Sequence, residues 1–144
     1  MAEWTRLRKM SAVYALGFIV VVVLTHLPGL NDEQGAMLGL FKIDPLDDAV
    51  HGFSGLWAAF AAWRSHVASR FYFRVFGSFY STDAVVGFFT GRSVLELLAN
   101  PSVTPGYSFL NLYVSIGANL PHFIIGPVAV LLGFWLADRA WGRG

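Results

Sequence analysis

The chain has 144 residues, 56% hydrophobic and only 13% charged, with a formal net charge of +1. A water-soluble domain carries about 25% charged residues, so this balance points to lipid contact and leaves room for about four spans of ~20 residues each. The small net charge excludes the electrostatic footprint of a nucleic-acid binder, and the lack of cysteine excludes disulfides, thiolate metal sites and cysteine nucleophiles.

In chain order, a first apolar run from Met10 to Leu27 follows the basic residues Arg6, Arg8 and Lys9. Thr25-His26-Leu27-Pro28-Gly29 lacks a small-x-small cleavage pattern, so the run reads as a retained transmembrane helix over 10–27, closed by Pro28 and Gly29. Residues 29–46 form a polar, acidic connection containing the short apolar piece Met37-Leu38-Gly39-Leu40-Phe41. A second helix is predicted over 48–63, with Asp47 and Asp48 at one interface and Arg64 at the other. The basic connection 64–70 leads to a third helix over 71–89, continuing along the surface at 92–98. Asn100-Pro101 and Thr104-Pro105-Gly106 break the chain there. A fourth helix over 119–137 opens on Asn119-Leu120-Pro121, with the proline in its first turn.

On this assignment Arg6, Arg8, Lys9, Arg64, Arg70, Arg74, Arg139 and Arg143 fall on one side, and Lys42 and Arg92 on the other. The positive-inside rule then places both termini in the cytoplasm. Trp4, Trp63, Trp135 and Trp141 sit near the same boundary, where indoles favour the interface. Asp32, Glu33, Asp44, Asp47 and Asp48 make the opposite face acidic. The expected fold is all-α: a single domain over 1–144, an integral membrane four-helix bundle spanning a bacterial inner membrane several times.

A repeat runs through this layout. Asp48-x-x-His51-x-x-x-Gly55 and Asn119-x-x-His122-x-x-x-Gly126 are offset by 71 residues throughout (48 to 119, 51 to 122, 55 to 126). Small residues follow each histidine at the same distances, Ala58 and Ala62 in one copy, Ala129 and Gly133 in the other. The pattern predicts two tandem, parallel-repeat helical hairpins. Asp48 and Asn119 are suited to helix N-caps, and the small residues form a stripe for close helix packing in lipid. Each histidine then bonds a cap, a loop carbonyl or water. The alternative makes His51 and His122 axial ligands of haem or (bacterio)chlorophyll, with Gly55 and Gly126 leaving space for a flat macrocycle. No matched set of metal ligands accompanies them. His26 and His66 read as interfacial, at the outer end of the first helix and in the cytoplasmic connection.

Asp83 is the one acid inside a predicted span. It lies about twelve residues into the third helix, or ~18 Å along it, near the bilayer middle. Such a carboxylate faces the bundle or is protonated, with Tyr80, Ser81 and Thr82 as nearby hydroxyl partners. It serves either as a hydrogen-bonded structural acid or as a proton carrier. Arg92 and Glu96, four apart, are spaced to pair on a helix. No phosphate-binding loop, dinucleotide fingerprint, zinc-protease motif or serine elbow occurs.

The residues Gly39-Leu40-Phe41-x-Ile43-Asp44-x-Leu46-Asp47-Asp48-x-x-His51-x-x-x-Gly55, with Phe79-Tyr80, Gly87-Phe88 and Asn119-x-x-His122-x-x-x-Gly126, resemble a bacterial membrane family known as domain of unknown function 4383. The resemblance covers most of residues 11–138 and implies a four-span membrane architecture with no established activity. Three functions are compatible with these features. The first is a nonenzymatic membrane subunit or scaffold, partnered by the lipid bilayer and by other membrane subunits or further copies of itself. The second is a haem- or pigment-binding accessory for electron transfer or light harvesting using His51 and His122. The third is a small proton-coupled transporter using Asp83.

Overall fold

The computed structural model describes residues 4–30, 36–37, 41–42, 45–99 and 112–137. Asp32, Glu33 and Asp44 of the acidic connection, the breakers at 100–106, and Arg139, Trp141 and Arg143 lie outside the described residues.

Capping side chains, rather than hydropathy, set the helix starts. Helix α1 spans Arg6–Thr25 and begins at Thr5, whose hydroxyl accepts from the Arg8 N–H at 3.4 Å. It therefore starts four residues ahead of the apolar run, because arginine and lysine are good helix formers once a cap is present. It ends before Pro28 and Gly29, the latter at φ 87°. A two-residue antiparallel pairing follows, β1 (Ala36–Met37) with β2 (Phe41–Lys42), across the short apolar piece.

Helix α2 covers Pro45–Arg64. Proline costs nothing at the first helical position, and Asp47 and Asp48 in the first turn complement the positive end of the helix dipole. Asp48 is thus the fourth residue of the helix and not its N-cap. Its carboxylate instead accepts from Thr25 Oγ1 at 3.1 Å and lies 3.6 Å from His26 Nε2.

Only Ser65 separates α2 from α3, which spans His66–Thr90 and replaces the expected connection 64–70 with helix. Ser65 is extended and caps α3, accepting from the Ala68 N–H at 3.1 Å. Three of the last carbonyls of α2 find donors. Ser69 Oγ bonds Ala61 O at 3.1 Å, Arg8 Nε bonds Ala62 O at 2.7 Å, and Arg8 Nη2 bonds Trp63 O at 2.8 Å. Gly91, left-handed at φ 68°, closes α3. The short helix α4, Val94–Ala99, then opens on a capping box: Ser93 Oγ accepts from Glu96 N–H at 3.1 Å, and Glu96 Oε2 accepts from Ser93 N–H at 2.8 Å.

Helix α5 spans Leu112–Val130 and continues into a π-helical stretch, Leu131–Leu136. Asn119 is its eighth residue and Pro121 its tenth, so neither belongs to a helix start. Asn119 is buried, with Gly87 of α3 against it; a Cβ at Gly87 would collide with the Asn119 amide oxygen. The expectation of equal helix entrances fails for the same reason. His51 is the seventh residue of α2 and His122 the eleventh of α5.

The contacts fix the helix directions. Arg8 with Ala62, Ser11 with Ala58 and Thr25 with Asp48 run α1 and α2 antiparallel. Ser69 with Ala61 and Ser54 with Tyr80 do the same for α2 and α3. Along α3 and α5, Arg74 meets Gly133, Gly77 meets Ala129 and Val130, Ser81 meets Gly126, and Asp83 meets His122. One end of the molecule therefore gathers Arg6, Arg8, Lys9, Arg64 and Arg70 with the exposed Trp4, Trp63 and Trp135. The other end gathers Asp48, Asp83 and α4.

The α3–α5 contact is backbone against backbone. A Cβ on Gly77 would stand 2.5 Å from Val130 N, one on Gly126 2.7 Å from Ser81 N, and one on Gly133 2.7 Å from Arg74 N. Beside it runs an aromatic stripe of α3: Tyr72 stacks on Phe76 at 5.0 Å and Phe76 on Tyr80 at 4.2 Å, with Tyr14 and Phe18 of α1 edge-on. The Tyr14 hydroxyl donates to Ile125 O at 2.9 Å, tying α1 to α5. Among the described residues, two helical segments are long and apolar enough, by length and composition, to cross a membrane, Arg6–Thr25 and Asn119–Leu136.

Gly77→Leu is expected to lower stability by about 1–3 kcal/mol, because the neighbouring atoms are backbone and cannot yield. Gly52→Ala, which meets nothing within 4 Å, should be neutral or stabilising by up to about 1 kcal/mol. Thermal unfolding of the two variants in one detergent checks both; equal effects would contradict the contact.

Candidate functional site

The polar end of α3 organises the site. Asp83 is 6% exposed and sits two turns before the end of α3. Gly91 reverses the chain so that α4 folds back over this turn. Asp83 Oδ1 accepts from Val94 N–H, the first residue of α4, at 2.8 Å. Its other oxygen, Oδ2, lies 2.9 Å from His122 Nδ1. One carboxylate thereby joins α3, α4 and α5.

A carboxylate only accepts, so His122 Nδ1 carries the proton of that bond. In the neutral ring this leaves Nε2 as a bare lone pair, the arrangement that makes a carboxylate-oriented histidine an acceptor or ligand. The hydroxyls expected to serve Asp83 are used elsewhere. Thr82 Oγ1 donates to Ser78 O at 2.9 Å, and the Tyr80 hydroxyl meets Ser54 Oγ at 3.1 Å. Ser81 Oγ is buried with no hydrogen-bond partner among the described residues.

His51 comes to the same place from α2. Its ring lies 6.2 Å from that of His122 and stacks on Phe18 at 5.6 Å. Tyr80 meets His122 edge-on at 4.9 Å. The Nδ1 of His51 is buried, with the Asp47 backbone one turn earlier on α2 as its neighbour. A cavity of about 20 Å³ lies between these groups, lined by His51, His122, Asp83, Asp47, Tyr80 and Ser93 among others. That volume holds about one water-sized guest.

Sequence spacing thus identifies His51, His122 and Asp83, and the fold brings the three together. It does not bring in His26, which pairs with Asp48, or His66, whose Nδ1 lies 3.1 Å from Thr5 Oγ1 at the opposite end. Asp48 and Asn119 do not line the cavity. Arg92 Nη2 donates to the backbone carbonyl of Glu96 at 2.9 Å. Tyr80, Ser93 and the α4 backbone were not anticipated as neighbours of the histidines. Ser93-x-x-Glu96 is a readable capping box, and it is the sequence signal for α4.

The macrocycle reading required open space beside Gly55 and Gly126. Both faces are filled: a Cβ on Gly55 would meet Phe18 Cβ at 3.0 Å, and one on Gly126 would meet Ser81. Among the described residues, these two glycines serve helix contact. Among the described residues, no group of three or more histidine or acidic side chains is placed to hold a metal ion.

A family model described as Domain of unknown function (DUF4383) matches residues 8–135. No curated protein and no solved structure matches the chain.

Asp83→Ala removes the acceptor for both Val94 and His122, so it should cost about 1–3 kcal/mol and speed amide exchange at Val94–Ala99. Asp83→Asn keeps a side-chain oxygen for Val94 and should leave that exchange nearer the wild-type rate. Hydrogen–deuterium exchange read by mass spectrometry distinguishes the two; unchanged exchange in Asp83→Ala would detach α4 from this carboxylate.

Proposed function

Because the chain belongs to the family Domain of unknown function (DUF4383), whose description carries no activity, we propose a role from the site and surface alone: a four-span, nonenzymatic subunit or scaffold of the bacterial cytoplasmic membrane. The observation that carries this reading is the perimeter. Large apolar side chains are exposed on every long helix: Val13, Leu16 and Val20 on α1, Phe53, Leu56 and Phe60 on α2, Phe71, Val75 and Phe89 on α3, and Leu120, Ile124 and Phe134 on α5 and its extension. In water such a girdle is an aggregation hazard; in lipid it is the solvent-facing surface.

Length supports the same reading. At 1.5 Å per residue, the 20 residues of α1 and of α2 each reach ~30 Å, the thickness of a hydrocarbon core. The acids and bases of α2 and α3 lie near helix ends or are bonded inward, as Asp83 and Arg74 are; Arg74 Nε donates to Gly133 O at 3.0 Å. Gathering of the arginines at one end supports cytoplasmic termini. The small-residue faces and the apolar perimeter suit association with other membrane subunits or with further copies of this chain.

In this reading the protein resists alkaline carbonate extraction. The natural chain has no cysteine, so single substitutions report cleanly. Leu27→Cys should label from outside the cell, and Val67→Cys only after permeabilisation. Labelling of both from one side would overturn the topology, and a solitary monomer in every mild detergent would overturn the scaffold role.

The Asp83–His122 bond favours a second reading, proton-coupled transport. Proton uptake into proteoliposomes should then be lost in Asp83→Asn; flux equal to that of the wild type, or no flux at all, would remove it.

A further inference from the structure

Two spaces meet at Tyr80. The polar cavity between the histidines shares Val50, Phe79, Tyr80 and Leu95 with a groove of about 380 Å³ between α2 and α3. The groove is walled by apolar side chains, including Phe53, Trp57, Val75 and Phe76, and Leu95 of α4 reaches both spaces. Phe53 and Val75 are exposed, so the groove opens sideways onto the perimeter assigned above to lipid. The hydroxyls in its wall, Ser54 and Tyr80, bond each other at 3.1 Å and leave the remainder greasy.

We propose that these two spaces connect and together bind a neutral lipid alcohol, its hydrocarbon tail in the α2–α3 groove and its hydroxyl among His51, His122 and Asp83. The proposal rests on the membrane reading and adds a ligand to it. Three observations select the head. A cavity of about 20 Å³ admits one water-sized group and excludes a phosphate, a sugar or a quaternary amine. Asp47 and Asp83 line it, so an anionic head such as a fatty carboxylate would be repelled. The His122–Asp83 bond leaves the neutral His122 ring a bare Nε2, and the His51 ring stands beside it. A hydroxyl both donates and accepts, so it can donate to a bare imidazole nitrogen and accept from a protonated one. The tail follows from the groove, which offers apolar walls and a lateral opening to a hydrocarbon chain already dissolved in the bilayer.

The test uses the full chain in phosphatidylcholine nanodiscs with a diazirine-bearing hexadecanol and the matching diazirine hydrocarbon that lacks the hydroxyl. The alcohol should label Phe53, Trp57 or Phe79 saturably and be displaced by unlabelled hexadecanol, while the hydrocarbon labels the whole perimeter. Val75→Trp, at an exposed position on the groove rim, should block labelling in the groove. His51→Ala should weaken alcohol labelling about two- to tenfold, the loss of one hydrogen bond, and leave hydrocarbon labelling unchanged. Labelling that ignores the hydroxyl, or that survives both substitutions, shows bulk lipid contact only and overturns the site. If His51→Ala fails to fold, Val75→Trp together with the alcohol–hydrocarbon comparison decides. Alkaline carbonate extraction separates the two failures: a chain released from the membrane sinks the membrane reading, and a chain retained but unlabelled in the groove sinks this one.

Discussion

The approach of α3 to α5 is the constraint on which the other features depend. At Gly77, Gly126 and Gly133 the two backbones come so close that a methyl group would overlap backbone atoms of the neighbour. In lipid, apolar side chains gain nothing from leaving one hydrocarbon environment for another, so helix association draws on dispersion and short-range polar contact, both of which grow as backbones near each other. Glycine permits that distance, and its helix-propensity cost falls away where the gap would otherwise be empty. The same approach sets His122 beside Asp83 and carries Asn119 against Gly87. The polar cluster is a product of the packing, held in register by residues that do no chemistry.

Polar groups at the two ends of the molecule solve one problem in opposite ways. At the basic end, Arg8 satisfies carbonyls left over by α2, a cation at the negative pole of a helix dipole. At the acidic end, Asp83 supplies a negative oxygen to the first N–H of α4, with Ser93 and Glu96 each accepting from the other's N–H. Charge in each case is tied to backbone that would otherwise be orphaned. Asp83 differs in having a second oxygen to spend on His122, and that surplus gives the site its chemistry.

Much of this was legible in the sequence. The helical class, the four apolar stretches and the three site residues follow from hydropathy, spacing and the cost of an acid among apolar neighbours. The family resemblance, carried by the motifs around His51 and His122, agrees with a family match over residues 8–135. What hydropathy missed were helix ends, because polar helix formers continue a helix that an apolar run only begins. Arg6 to Lys9 and His66 to Arg70 each lengthened an element in this way, while Leu112 to Ala118, mostly apolar, was passed over because Pro121 was read as a first turn. Proline misled at α5: Pro121 suggested a first turn, yet it lies inside a helix whose neighbours replace the packing that the missing bond weakens. Misplaced ends then turned Asp48 and Asn119 into caps. The equal offset of 71 residues survives as a sequence fact, but it joins two histidines at different depths in their own helices.

The single residue between α2 and α3 has a consequence for how the protein is made. Ser65, extended and bonded to both helices, leaves no slack with which one could settle before the other. A chain delivered to a bilayer from the ribosome would have to commit α2 and α3 together, as a preformed hairpin whose tip stays on the side of synthesis. Arg64 and Arg70 flank that tip and would hold it there. On the four-span reading proposed above, the marginal hydropathy of α2 and α3 is then no obstacle, since the pair would enter as one unit with Ser54 and Tyr80 already bonded to each other.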